Sequence, residues 1–105
     1  MQIKYGDKYK NSEKNIKKRY SEKETLEKIK TLIKQCESFD ELKENPISVV
    51  YGYEALNHEL NGYYGFNLYK NGGTIRLIFS INIEENIVIL EYVFEKHYMD
   101  FKNKL

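Results

Sequence analysis

The chain has 105 residues, 31% of them charged and 41% hydrophobic, and a formal net charge of +1. That is enough for one domain around one modest core, spanning residues 1–105, and too little for two. No apolar run approaches the ~20 residues of a membrane span, and the lysine-rich start lacks the apolar centre of a signal peptide. The single cysteine, Cys36, closes no internal disulfide, and no Cys/His cluster has zinc spacing. The expectation is a reduced, cytoplasmic protein that uses no metal and no cofactor.

Charge is distributed unevenly. Between Lys4 and Arg19 seven basic residues stand against Asp7 and Glu13, whereas from Pro46 onward five basic residues face seven acidic ones. A basic strip of this kind either draws nucleic acid through phosphate neutralisation or simply coats a solvated surface.

In chain order, Gln2 to Tyr5 has the makings of a short strand. Gly6 to Tyr20 holds few large apolar residues, so a helix there would bury only a thin face. Ser21 followed by Glu24 has the spacing of a capping box and predicts a helix start. Behind it Leu26, Ile29, Leu32, Ile33 and Cys36 recur at helical spacing and predict one buried stripe. Ser38 and Glu41 repeat the capping pattern over a short helix around Leu42. Pro46 ends it, because the residue before proline is pushed out of the helical region.

From Val49 the period changes. Tyr64, Phe66 and Leu68 alternate with Gly65, Asn67 and Tyr69, as in a half-buried strand. Asn71-Gly72-Gly73 predicts a tight hairpin turn. Ile75 to Ile81 then reads as an apolar strand interrupted by Arg76, Glu84-Glu85-Asn86 as a turn, and Ile87 to Phe94 as a further strand. The expected architecture is α+β: N-terminal helices on a three- or four-stranded, mainly antiparallel sheet, with strands near 53–57, 62–70, 74–82 and 86–95.

Several residues could carry chemistry. Arg76 is a fixed cation within an apolar strand, so it must reach solvent, a partner or a ligand. Two readings stand: an ion pair with Glu91 on the neighbouring strand, or a planar fork set to grip a phosphate. His97 could exchange a proton near neutral pH, and Tyr98 beside it could stack on a base; both could equally be surface residues. Glu54 could act as a general base or need no function at all. His58 stands alone. The ten tyrosines serve a core and sheet, or a stacking surface. Gly72-Gly73 opens no helix, so it is no phosphate loop.

Taken in order, these pieces form one pattern. Glu54-Ala55-Leu56-Asn57-His58-Glu59-Leu60-Asn61-Gly62-Tyr63-Tyr64 follows a helical half. A hairpin then leads into Ile75-Arg76-Leu77-Ile78-Phe79, and the last strand ends in Lys96-His97-Tyr98. The pattern resembles the RelE/ParE superfamily of toxins over essentially the whole chain. It is most similar to the YoeB and HigB-like branches, where a glutamate before the leucine-glycine stretch and a terminal His-Tyr pair recur.

The resemblance implies the toxin of a toxin–antitoxin system, acting as a metal-independent messenger RNA endoribonuclease on the ribosome. It implies a cognate antitoxin as partner, one that wraps the toxin with an extended segment and a helix. By position, Glu54 resembles the general base, Arg76 the group stabilising charge on the phosphate, and His97 the general acid. Tyr98 would orient the substrate, with Lys70 and Lys96 as RNA-binding residues. RelE itself carries several lysines before the arginine, where this chain has Gly65, Phe66, Asn67 and Leu68. A ParE-like inhibitor of DNA gyrase, or a catalytically silent member that only binds a partner, are the alternatives the same resemblance allows.

Overall fold

The structure, a computed structural model, describes residues 1–14, 20–68 and 75–94. The elements in chain order are β1 (Gln2–Tyr5), α1 (Tyr9–Lys14), α2 (Tyr20–Gln35), α3 (Phe39–Glu44), α4 (Pro46–Val50), β2 (Glu54–Ala55), a 3-10 turn at His58–Leu60, β3 (Tyr64–Asn67), β4 (Arg76–Asn82) and β5 (Ile87–Phe94). The sheet has the order β1-β5-β4-β3-β2. All pairs are antiparallel except β1 with β5, which is parallel.

The α2 stripe is as the spacing predicts: Leu26, Ile29 and Ile33 are fully buried, with Leu32 and Cys36 nearly so. α2 is described from Tyr20, one residue before Ser21, where the sequence pattern places the helix start. Of the second pattern the structure keeps the N-cap half, with the glutamate reaching one residue further back. Ser38 Oγ accepts from the Glu41 N–H at 3.2 Å, and Glu41 Oε2 accepts in return from the Glu37 N–H at 2.8 Å. The first contact satisfies a donor that the helix start leaves orphaned; the second ties down the residue before the N-cap. Asn45 is extended, as a residue before proline must be, and α3 ends there. The same proline then opens α4 at its first turn, where its missing N–H costs nothing, and Asn45 Oδ1 caps that helix by accepting from Ile47 N–H.

Helices and sheet enclose one main core, in which Leu26, Ile29 and Ile33 of α2 meet Phe66 of β3, Leu77 and Phe79 of β4, and Val88, Leu90 and Val93 of β5. Aromatic rings fill its α3 end. Phe39 meets Tyr64 edge-on with centroids 4.8 Å apart, and Phe66 stacks on Phe79 at 5.3 Å. Burial, with Tyr64 beside it, pushes the Tyr53 phenol up to about 12, so this ring stays neutral and serves packing.

The observed strands are shorter than the expected spans near 53–57 and 62–70, and Ile75 precedes β4 rather than belonging to it. The short β2 follows from its position at the sheet edge, where only Glu54 and Ala55 pair with β3. Among the described residues the sheet has five strands, because Gln2–Tyr5 joins it as its other edge. The Asn71-Gly72-Gly73 hairpin lies outside the described residues.

α1 closes the sheet where β1 stops. β1 pairs with Ile87 to Leu90 only, which leaves the next part of that edge uncovered. Ser12 of α1 supplies the missing acceptor: its buried Oγ accepts from Val93 N–H at 3.0 Å and donates to the Tyr9 carbonyl at 2.7 Å.

Candidate catalytic face of the sheet

Strand register sorts the side chains between two faces. Leu77 opposite Val93, Phe79 opposite Leu90 and Ile81 opposite Val88 belong to the helix-covered core or pack against it. Alternation therefore places Arg76, Ile78 and Ser80 on the second face. Cross-strand partners share a face, so Glu54, opposite Gly65, which is opposite Ile78, lies on that second face too. Asn67 stands opposite Arg76 on β3.

Glu54 and Arg76 thus project from the same side of the sheet. They are two strands apart and offset by two residues along the strands. Ordinary sheet spacings set their Cα atoms about 12 Å apart. That gap is spanned by a long guanidinium arm, a carboxylate arm and one phosphodiester between them. Glu54 is exposed and Arg76 half-buried, and the Arg76 Nη1 donates to the Ile75 carbonyl at 3.4 Å.

An ion pair between Arg76 and Glu91, the first of the two readings of Arg76, is not built by this register. Arg76 stands opposite Phe94. Ile78 pairs with Tyr92 and Phe79 with Leu90, so Glu91 is an extra residue at a β-bulge between them. Its carboxyl lies against Gly6: a Cβ added there would meet Glu91 Oε1 at 3.0 Å. Burial raises the Glu91 pKa, and the nearby Asp7 charge raises it further.

The bulge also moves Tyr92. Unbroken alternation from Val88 and Leu90 would send it into the core. The added residue gives that place to Val93 and leaves Tyr92 on the second face, packed against a small cluster of Leu56, Leu60 and Ile78. Tyr63 packs on the same cluster. The sequence pattern hides this, although Glu91 and Val93, two apart and unlike in polarity, mark the change of phase.

The other site residues inferred from sequence, His97, Tyr98, Lys70 and Lys96, lie outside the described residues. His58 opens the 3-10 turn with φ +58, in the left-handed region that only a few per cent of non-glycine residues adopt, and its side chain is exposed. A groove of about 600 Å³ lies elsewhere, between α2 and α4, lined by Leu32, Pro46, Ile47, Val50 and Tyr51 among others; neither Glu54 nor Arg76 lines it. Among the described residues no group of His, Cys, Asp and Glu is arranged to hold a metal ion, and no helix is long and apolar enough to cross a membrane.

No protein-family model matches the sequence, and no curated protein matches it. Solved structures do match. YafQ from E. coli superposes with a TM-score of 0.66 at 18% identity, covering 95% of this chain and 97% of YafQ. The E. coli DinJ-YafQ toxin-antitoxin complex gives 0.64 at 18% identity, covering 94% of this chain and 93% of the matched one. A YoeB/ParE toxin from Agrobacterium tumefaciens gives 0.61 at 15% identity, covering 93% and 100%. The chain has the fold of these toxins, the RelE/ParE-like fold, over nearly its full length.

Proposed function

We propose that this chain is the toxin of a toxin–antitoxin pair and that it cuts messenger RNA on the ribosome without a metal. The observation that carries the reading is the shared face of Glu54 and Arg76, fixed by strand register on the side of the sheet away from the main core. Neighbours that match nearly end to end are named as toxins, and one was solved with its antitoxin.

In the proposed reaction Glu54 takes the proton of a ribose 2′-hydroxyl, whose oxygen attacks the adjacent phosphorus. Arg76 stabilises the negative charge that builds on the phosphoryl oxygens. His97 gives a proton to the departing 5′-oxygen, and Tyr98 holds the substrate, with Lys70 and Lys96 on the RNA backbone. The products are a 2′,3′-cyclic phosphate and a free 5′-hydroxyl. Acid–base catalysis contributes roughly 10²–10⁴-fold to such a step, and a fixed charge aimed at the transition state adds comparably.

The test is induced expression followed by primer extension on ribosome-bound messages. Wild type should arrest growth and leave new 5′ ends within translated codons. Arg76→Ala should lower cleavage about 10²–10³-fold while the protein stays folded, because it removes a transition-state contact rather than a core one. Growth arrest with intact messages would move the target to gyrase or another partner, and harmless expression would leave a binding protein.

A further inference from the structure

The bulge in β5 exchanges one side chain for another at the centre of the second face. In a continuous ladder Glu91 would follow Leu90 and stand opposite Ile78; with the extra residue Tyr92 stands there instead. A carboxylate beside Arg76 would repel a phosphate chain, whereas a phenol ring presents an apolar face to a base. The ring is seated on Ile78 and the Leu56–Leu60 turn, so its orientation is fixed by packing. It is half-buried, with part of its surface still accessible. Along the sheet it lies two residues from Phe94, the partner of Arg76. Adjacent nucleotides in an extended strand place a base and a neighbouring phosphate at about that separation.

We propose that Tyr92 is the platform of a nucleobase-stacking subsite, holding one base of the single-stranded substrate while Arg76 holds its neighbouring phosphate. This rests on the RNA-cutting reading above and adds to it a positioning residue outside the acid–base set. Base–aromatic stacking tolerates any base, because every base has a π-face. The subsite therefore holds the strand in place without selecting its sequence.

The probe is a ribosome complex programmed with a message whose target codon carries a 2′-O-methyl group, which blocks the nucleophile, so that binding is read apart from cleavage. A second message carries an abasic nucleotide in the same codon. Wild type should bind the intact codon about tenfold more tightly than the abasic one, the size of one lost stack. Tyr92→Phe, which keeps the ring, should keep that ratio. Tyr92→Leu, which keeps the packing on Ile78, should bring it to one without changing affinity for the abasic message.

A wild-type ratio of one, or a Tyr92→Leu variant that keeps the wild-type ratio, overturns the subsite. If Arg76→Ala still weakens binding in that case, the RNA-cutting reading survives alone. No binding of wild type to either message overturns both. A Tyr92→Leu variant that binds message normally but escapes a protein inhibitor would make the ring a protein contact, and that also overturns the proposal.

Discussion

Glu91 is held half-buried beside Gly6, with Asp7 near it, and both circumstances disfavour its charged form. A carboxyl whose pKa is higher in the folded than in the unfolded protein makes the folded state bind the extra proton. Its contribution to stability is then best below the unfolded pKa and is lost as pH rises through the folded one. Glu91→Gln removes that loss. The variant should melt above wild type near neutral pH, and the difference should vanish below the ordinary carboxylate range. An equal melting temperature at both pH values would mean that the carboxyl is not desolvated as the bulge places it. Lys30 shows the opposite balance. Burial alone would lower its pKa, but the hydrogen bond and charge of Glu13, 2.9 Å away, with Glu27 beyond, more than offset this and raise it. Lys30 therefore remains charged and ties α1 to α2, with the Tyr5 and Tyr9 rings 5.4 and 5.6 Å from its amine.

At the scale of elements, Ser12 and Ser48 are two buried hydroxyls with opposite expectations. Ser12 completes the β5 edge, so Ser12→Ala leaves the Val93 N–H buried without its acceptor. Thermal or denaturant unfolding should show a loss of about 1–3 kcal/mol. Ser48 Oγ, by contrast, is buried with no hydrogen-bond partner, so Ser48→Ala should be neutral or stabilising in the same measurement. Similar losses for both would show that the edge contact at Val93 is of no special weight.

What the sequence makes legible at this scale follows from period. Leu26, Ile29 and Ile33 announce a helix stripe, and Tyr64 with Phe66 announces a strand, because each pattern repeats with its own geometry. Three features escape it. Gln2–Tyr5 carries no sign of which strand it will join, since a parallel partner some eighty residues away leaves no local mark. Pro46 signals a stop and a start alike. The β5 bulge reverses the faces of Tyr92 and Val93, so simple alternation misassigns both. At the site, Arg76 is conspicuous as a cation in an apolar run, whereas its common face with Glu54 depends on two registers that only the folded sheet supplies.

For the whole molecule, the described residues form one layer of helices on one sheet, with the main core between them and the second face left to a small cluster and the candidate catalytic groups. Solved toxins of this fold match it nearly end to end, and the proposed reaction draws only on side chains of this chain. Its distinguishing demand is chemical. A 2′-hydroxyl must be the nucleophile, and no other feature of the message can replace it. The decisive measurement is cleavage in a reconstituted translation reaction, using a message with a single 2′-deoxy nucleotide at the position otherwise cut. The account predicts cutting of the all-ribose message to give a 2′,3′-cyclic phosphate, and no cutting at the deoxy position with the ribosome still engaged. Cleavage at the deoxy position, or a 3′-hydroxyl end on the all-ribose product, would contradict it.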